Sequence, residues 1–307
     1  MKVLVTGGAG FIGSNVVDEL ISSNYEVCII DNLSTGKVDN LNSKAVFYKC
    51  DIINVEALKL IFEIERPEVV YHFAAQIDVQ NSLKKPAFDA DINIIGTINI
   101  LECCRKYEVK KIIYPSSAAV YGNPKYLPVD EEHPIEPISF YGISKHTPEH
   151  YIKTFCSLYN IKYTIFRYSN VYGIRQDPKG EGGVISMFID RFLNNRAPVI
   201  FGDGEQTRDF IYVKDVAKAN VLALRNGDNK IINISTNVLV TVNELFKTMK
   251  RIFNSDVDVI YKKSRQGDIL HSSLNNMLAR EYLGWNAEYD FENGVRETIN
   301  YYKNLFI

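Results

Sequence analysis

At 307 residues, 46% hydrophobic and 23% charged, the chain has the make-up of an ordinary globular protein, with core enough for one large domain or two moderate ones. A formal charge of −2 argues against a surface built to neutralise nucleic-acid phosphates. No apolar run approaches the roughly 20 residues of a membrane span, and MKVLVTGG turns glycine-rich too soon for a secretory leader, so a cytoplasmic protein is expected.

KVLVT (2–6) reads as a strand and FIGSNVVDELISSN (11–24) as an amphipathic helix. EVCIID (26–31) and AVFYKCD (45–51) follow as strands, then VEALKLIFEI (55–64) as a helix that Pro67 stops. EVVYHFA (68–74) is a strand, a single long helix is expected over about 88–107, and KKIIYPSS (110–117) is the next strand. SFYGISKHTPEHY (139–151) reads as a helix and KYTIFRYS (162–169) as a strand. Strand alternating with helix at this spacing predicts an α/β fold: a Rossmann-like, doubly wound parallel sheet with right-handed crossovers.

Beyond residue 170 the rhythm changes. GIRQDPKGEGG (173–183) is a loop, VISMFIDRFLNN (184–195) a helix and PVIFGDG (198–204) a strand and turn. The α/β alternation returns in VKDVAKANVLALRN (213–226) and KIINIST (230–236). The expected division is a nucleotide-binding domain over 1–170, rejoined by 213–236, and a smaller mixed α/β lobe within 171–307.

The five cysteines form no C-x-x-C pair and read as buried thiols of a reducing compartment. His146 and His150 stand four apart without a third ligand, so no metal is expected.

TGGAGFIG (6–13) lies directly between the first strand and the first helix, and contains Gly8-x-Gly10-x-x-Gly13 and Gly7-x-x-Gly10-x-x-Gly13. Glycines there permit a tight turn and let backbone N–H groups close on a pyrophosphate at the helix N-terminus. Asp31 ends the second strand 18 residues after Gly13. A carboxylate at that place accepts from the adenosine ribose hydroxyls and repels a 2′-phosphate, which favours NAD over NADP. Asp51, after the third strand, fits either an adenine contact or a turn.

With DNLSTG (31–36), CDI (50–52), HFAAQ (72–76), SSAAVYG (116–122), YGISK (141–145), FRYSNVYG (166–173) and RDFIYVKDV (208–216) following in order, the whole chain resembles the extended short-chain dehydrogenases/reductases of the NAD-dependent epimerase/dehydratase family. Within it, the UDP-glucose 4-epimerases are nearest in motif. The resemblance implies bound NAD, a UDP-sugar substrate and a homodimer made through a helical bundle. It implies cofactor contacts from Gly7, Gly10, Phe11, Ile12, Gly13, Asp31, Asn32, Asp51, Ile52, Ala74 and Ala75, besides Tyr141 and Lys145.

The same resemblance makes Ser117, Tyr141 and Lys145 catalytic. Taking a proton from a sugar hydroxyl while hydride leaves its carbon needs an ionised base. A free tyrosine, with a pKa of about 10, is only about 0.1% ionised at pH 7, and bringing it to about 7 takes roughly 4 kcal/mol. Lys145, one helical turn away, and the positive nicotinamide are two cations suited to supply this. Pro148 removes the helical hydrogen bond to the Ser144 carbonyl, just past the pair.

Between Ser117 and Tyr121, dehydratases of this kind carry an Asp-Glu pair and decarboxylases usually an acid, whereas this chain has Ala118 and Ala119. Methyl groups do no acid/base work, so the chemistry is expected to stop at a 4-keto sugar and end in C4 epimerisation. A decarboxylase or dehydratase, and a scaffold that binds NAD without catalysis, are the alternatives. By resemblance, Ser117, Asn170, Val184, Arg208 and Arg265 contact the sugar or diphosphate, Asp268 the uridine ribose, and Val199 or Phe201 the uracil. Ser272, four residues after Asp268, stands where glucose-restricted relatives carry a tyrosine, which leaves room for an N-acetyl group.

Overall fold

The computed structural model describes residues 1–178, 183–264 and 269–305. The first apolar runs form strands β1 (Lys2–Thr6), β2 (Glu26–Asp31), β3 (Val46–Lys49) and β4 (Val69–His72), linked by helices α1 (Phe11–Ser22) and α2 (Val55–Glu65). Helices α3 (Val79–Lys84), α4 (Pro86–Ala90) and α5 (Gly96–Lys106) lead to β5 (Lys111–Ser117), and α6 (Phe140–Tyr159) leads to β6 (Lys162–Tyr168). The chain then leaves the sheet through β7 (Asn170–Tyr172), α7 (Val184–Leu193), β8 (Val199–Phe201), β9 (Thr207–Arg208) and β10 (Phe210–Tyr212). It returns through α8 (Val213–Leu222) and β11 (Lys230–Ile234). The remainder comprises β12 (Val240–Thr241), α9 (Val242–Phe253), β13 (Ile260–Lys262), β14 (His271–Ser272), α10 (Met277–Leu283) and α11 (Phe291–Leu305).

Seven strands make one sheet in the order β11-β6-β5-β4-β1-β2-β3, and every pairing is parallel, as the alternation of strand and helix predicts. Alternate residues of each strand face opposite layers. Leu4, Ile30, Val70, Ile112 and Ile165 pack on one side with Phe62, Leu101 and Ile152 of α2, α5 and α6. Val3, Val5, Ile29, Phe166 and Ile232 pack on the other with Val16 and Leu20 of α1 and Val216 of α8. Phe188 and Phe192 of α7, Phe246 and Met249 of α9, and Val295 and Ile299 of α11 make a further cluster beside the sheet. Each such side chain contributes about 1.5–3 kcal/mol on burial.

Two local features differ from the expectation. The single helix over 88–107 is instead α4 and α5 joined by a π turn at Asp91–Ile95. One extra residue in that turn rotates the helix locally, and buried Asn93 there donates from Nδ2 to Ser144 Oγ of α6 at 2.8 Å and to Gln76 O at 2.9 Å. The paired strands β7 and β10 lie where sequence periodicity has too few residues to register. Helix α6 runs unbroken through Pro148, which is buried, and Ser139 starts it by accepting from Gly142 N at 3.1 Å. Pro115 is tolerated in β5 because pairing with β4 ends at Ile113, leaving that stretch a strand neighbour on one side only.

Candidate active site

The turn after β1 is shaped by two glycines. Gly7 has φ +70°, and a Cβ on it would stand 2.6 Å from Ala74 N. A Cβ on Gly13 would stand 2.2 Å from Gly7 O. The turn therefore lies flat against the end of β4 and delivers the N-terminus of α1 to the floor of a cleft of about 930 Å3. This cleft opens at the carboxyl ends of the parallel strands, where loops diverge in such sheets.

Gly7, Gly10, Phe11, Ile12, Gly13, Asp31, Asn32, Asp51, Ile52, Ala74 and Ala75 all line it. Asp31, 7% exposed, is held at the end of β2 by Ala9 N (3.0 Å to Oδ2) and Leu33 N (2.8 Å to Oδ1). Burial pushes its carboxyl above the ordinary value, against the pull of the Leu33 and Ala9 N–H groups. Asp51 accepts from Asn32 Nδ2 at 2.8 Å, so these two residues act as one rim.

Ser117, Tyr141 and Lys145 line the same cleft, across from the glycine turn. Ser117 ends β5, and its Oγ accepts from Ala119 N at 3.1 Å, which fixes the side chain at the head of a short 3-10 turn over Ala118–Val120. Tyr141 sits in the first turn of α6, its backbone N–H donated to Ser82 Oγ of α3 at 3.1 Å. Lys145 is 3% exposed, with Nζ 4.4 Å from the centre of the Tyr114 ring. Burial pulls its ammonium down to about 7, while Glu149 and Asp89 act in the opposite direction.

Beneath Lys145, His72 lies between Thr6 Oγ1 (2.8 Å) and Thr97 Oγ1 (3.0 Å), and Thr6 Oγ1 also accepts from Ala74 N. Burial, helped by Lys145, takes His72 down to about 3, so it is neutral and serves to hold the end of β4.

Of the residues expected to touch a sugar nucleotide, Ser117, Asn170 and Val184 line the cleft. Val199, Phe201, Arg208 and Ser272 do not; they belong to the small strands β8, β9 and β14. The β9–β14 pairing sets Ser272 opposite Arg208. Arg265 and Asp268 lie outside the described residues. Sequence reasoning missed Tyr172, Gln176 and Phe210, which also line the cleft. Tyr172 and Phe210 stand on three-residue strands with no periodic signal, and Gln176 in an irregular loop. All five cysteines are buried and free, the described residues hold no group of three or more metal-ligating side chains, and no helix among them is long and apolar enough to cross a membrane.

A strand–glycine turn–helix, an acid at the second strand's end and a Ser/Tyr/Lys set thus share one cleft. The model of the NAD dependent epimerase/dehydratase family matches residues 3–235. A Methanocaldococcus jannaschii protein, provisionally named a UDP-glucose 4-epimerase, is 54% identical over 303 residues, 98% of each chain. The Thermotoga maritima UDP-glucose 4-epimerase solved with UDP-glucose superposes with a TM-score of 0.98 at 48% identity over all of both chains. A UDP-N-acetylglucosamine 4-epimerase from Methanobrevibacter ruminantium, in complex with UDP-N-acetylmuramic acid, superposes with a TM-score of 0.94 at 38% identity, covering 99% of this chain and 98% of its own. With more than half its length matched by the family model and near-complete relatives well above 30% identity, the chain belongs to the NAD-dependent epimerase/dehydratase family.

Proposed function

We propose that the protein is an NAD-dependent 4-epimerase of UDP-hexoses, interconverting UDP-glucose and UDP-galactose. The observation that carries this reading is the cleft itself, shared by the glycine turn, Asp31 and the Ser117/Tyr141/Lys145 set, with alanines at 118 and 119. NAD fits the chain's cradle. Gly7 and Gly13 let the turn pack where any Cβ would collide with a main-chain atom, and the Asp31 carboxylate stands at the rim for ribose hydroxyls. When bound, NAD supplies a reversible hydride acceptor.

Tyr141 takes the proton of the C4 hydroxyl and returns it at the end. Lys145, protonated one turn away, stabilises the phenolate, and the Ser117 hydroxyl donates to the reacting oxygen. With the 4-keto sugar turned to present its other face, Tyr141 would give the proton back to the C4 oxygen, and bound NAD would supply the returning hydride, so that no external oxidant is consumed. Asn170, Val184, Val199, Phe201, Arg208, Arg265, Asp268 and Ser272 bind the sugar nucleotide in this reading, with the smaller lobe, 171–307 apart from 213–236, as its seat. Arginine's fork matches phosphate oxygens. Ser272 leaves space beside the C2 substituent, which extends the substrates to UDP-GlcNAc and UDP-GalNAc.

We also propose a homodimer. Ile143, Tyr151 and Leu158 form an exposed apolar stripe on α6, next to exposed Phe88 and Ile95, and a second copy of this face would cover it. Light scattering tests this: a monomer, or a dimer that survives Ile143→Glu with Tyr151→Glu, refutes it. Five buried thiols fit a cytoplasmic enzyme. Proton NMR of UDP-glucose, UDP-GlcNAc and UDP-glucuronate incubated in parallel tests the reaction. Inversion at C4 is expected; CO2 release, a stable 4-keto product or no turnover overturns the reading.

A further inference from the structure

Tyr141, Lys145 and Glu149 stand at i, i+4 and i+8 along α6, so one face of the helix carries all three. Glu149 is 1% exposed and both its oxygens are engaged. Oε1 accepts from Ser116 Oγ at 2.6 Å and Arg167 Nε at 3.1 Å; Oε2 accepts from Arg167 Nη2 at 2.6 Å and His146 Nδ1 at 3.3 Å. Ser116 is the residue before Ser117 on β5, and Arg167 stands on β6. Arg167 is itself braced: its Nη1 donates to the Tyr121 hydroxyl at 3.0 Å, and that hydroxyl donates to Asn233 Oδ1 of β11 at 2.7 Å. A buried ion pair generally stabilises a fold no better than well-packed apolar residues do. Fold stability is therefore a poor account of this one.

We propose that Glu149 is a positioning residue for the reaction assigned above: it clamps the helix bearing Tyr141 and Lys145 to the strand bearing Ser117, and keeps a fixed negative charge one turn from Lys145. The inference rests on that reading. Among the described residues, the charged and titratable groups set against Lys145 are Glu149 from its own helix, Asp89 from α4, His72 from β4 and Tyr114 from β5, with Tyr141 one turn before it on α6; Arg167 is paired with Glu149. His72 is neutral and Tyr114 presents its ring, so Glu149 and Asp89 are the acids that oppose the effect of burial on Lys145. Burial alone would raise the Glu149 carboxyl, but the bonds from His146, Arg167 and Ser116 bring it down to about 2 and keep it charged. Without that charge Lys145 gives up its proton at lower pH, and Tyr141, beside a weaker cation, ionises at higher pH.

The test compares Glu149→Gln, which removes the charge, with Glu149→Asp, which keeps the charge and shortens the reach. Two readouts are the pH profile of kcat and the tyrosinate absorbance of Tyr141, isolated by subtracting the titration of Tyr141→Phe. Glu149→Gln is expected to lower kcat about ten- to a hundredfold with KM within about threefold. Its acid limb and its Tyr141 titration should both move up by about one pH unit, a tenfold change in ionisation. Glu149→Asp should lower kcat with both midpoints left in place. If Glu149→Gln does not fold, the pair Glu149→Gln with Arg167→Met, which leaves no unpaired buried cation, carries the same expectation. A folded charge-removing variant with unmoved midpoints, or an Asp variant that shifts as far as the Gln variant, overturns the proposal. Because the tyrosinate titration needs no turnover, an error in the assigned reaction leaves this result readable.

Discussion

Replacing Lys145 by methionine should abolish turnover and yet make the NAD-free protein more stable. The ammonium is taken from an ordinary value of 10.5 to about 7. That is about 3.5 pH units, or about 5 kcal/mol at 1.36 kcal/mol per unit. The sign follows from proton counting. Below pH 7 the amine is protonated folded and unfolded, and the whole cost of burying the charge is present. Between pH 7 and 10.5 the unfolded chain binds a proton that the folded one has lost, so wild-type stability climbs with pH by about 1.4 kcal/mol per unit. Above 10.5 the cost is gone. Methionine keeps an unbranched apolar stem without the charge, and forfeits the contact with the Tyr114 ring, worth about 0.5–2 kcal/mol. Lys145→Met should therefore be about 3–5 kcal/mol more stable at pH 6, with the gap closing by about 3 kcal/mol at pH 9. Urea unfolding of the cofactor-stripped proteins across this range measures it. A variant no more stable than wild type at pH 6, or a gap that stays constant with pH, refutes the reasoning.

Tyr141→Phe should lower kcat by orders of magnitude while UDP-sugar affinity stays within about threefold, because the phenolic oxygen acts mainly in the transition state; a variant keeping more than about a tenth of kcat removes Tyr141 from its role. Wild-type protein should bind NAD far more tightly than NADP, and Asp31→Ala should narrow the difference; equal binding by the wild type in a calorimetric titration contradicts the Asp31 assignment. Ser272→Tyr should cost UDP-GlcNAc about 1–3 kcal/mol in kcat/KM relative to UDP-glucose; unchanged selectivity in paired kinetic assays discards the open pocket.

How much could be read before the fold was known depended on how local each cause is. The glycine turn is legible because its constraint is backbone geometry within eight residues, and Asp31 because it closes the adjacent strand. The parallel sheet is legible because β-branched runs and helical periods alternate at crossover spacing. Tyr141 and Lys145 share a face by helical arithmetic alone. Glu149 was illegible: flanked by His146 and His150 it resembles a solvated helix residue, and only Arg167, brought over by β6, explains a buried acid. Tyr172 and Phe210 escaped because β7 and β10 pair across a long sequence separation with three residues each. The π turn at Asp91–Ile95 escaped because nothing in the local propensity asks for the extra residue that Asn93 needs to reach Ser144.

The place of β11 beside β6 bears on how the chain can be made. In the order β11-β6-β5-β4-β1-β2-β3, strand β6 has an open flank until residues 230–234 have left the ribosome and paired with it. Up to that moment Tyr121, which braces Arg167, lacks Asn233 as its acceptor. A nascent chain ending near residue 170 thus presents a bare strand edge to its neighbours, a known route to aggregation. Residues 1–170 are therefore not a detachable cassette: truncated or transplanted without residues 213–236, they carry their own adhesive edge.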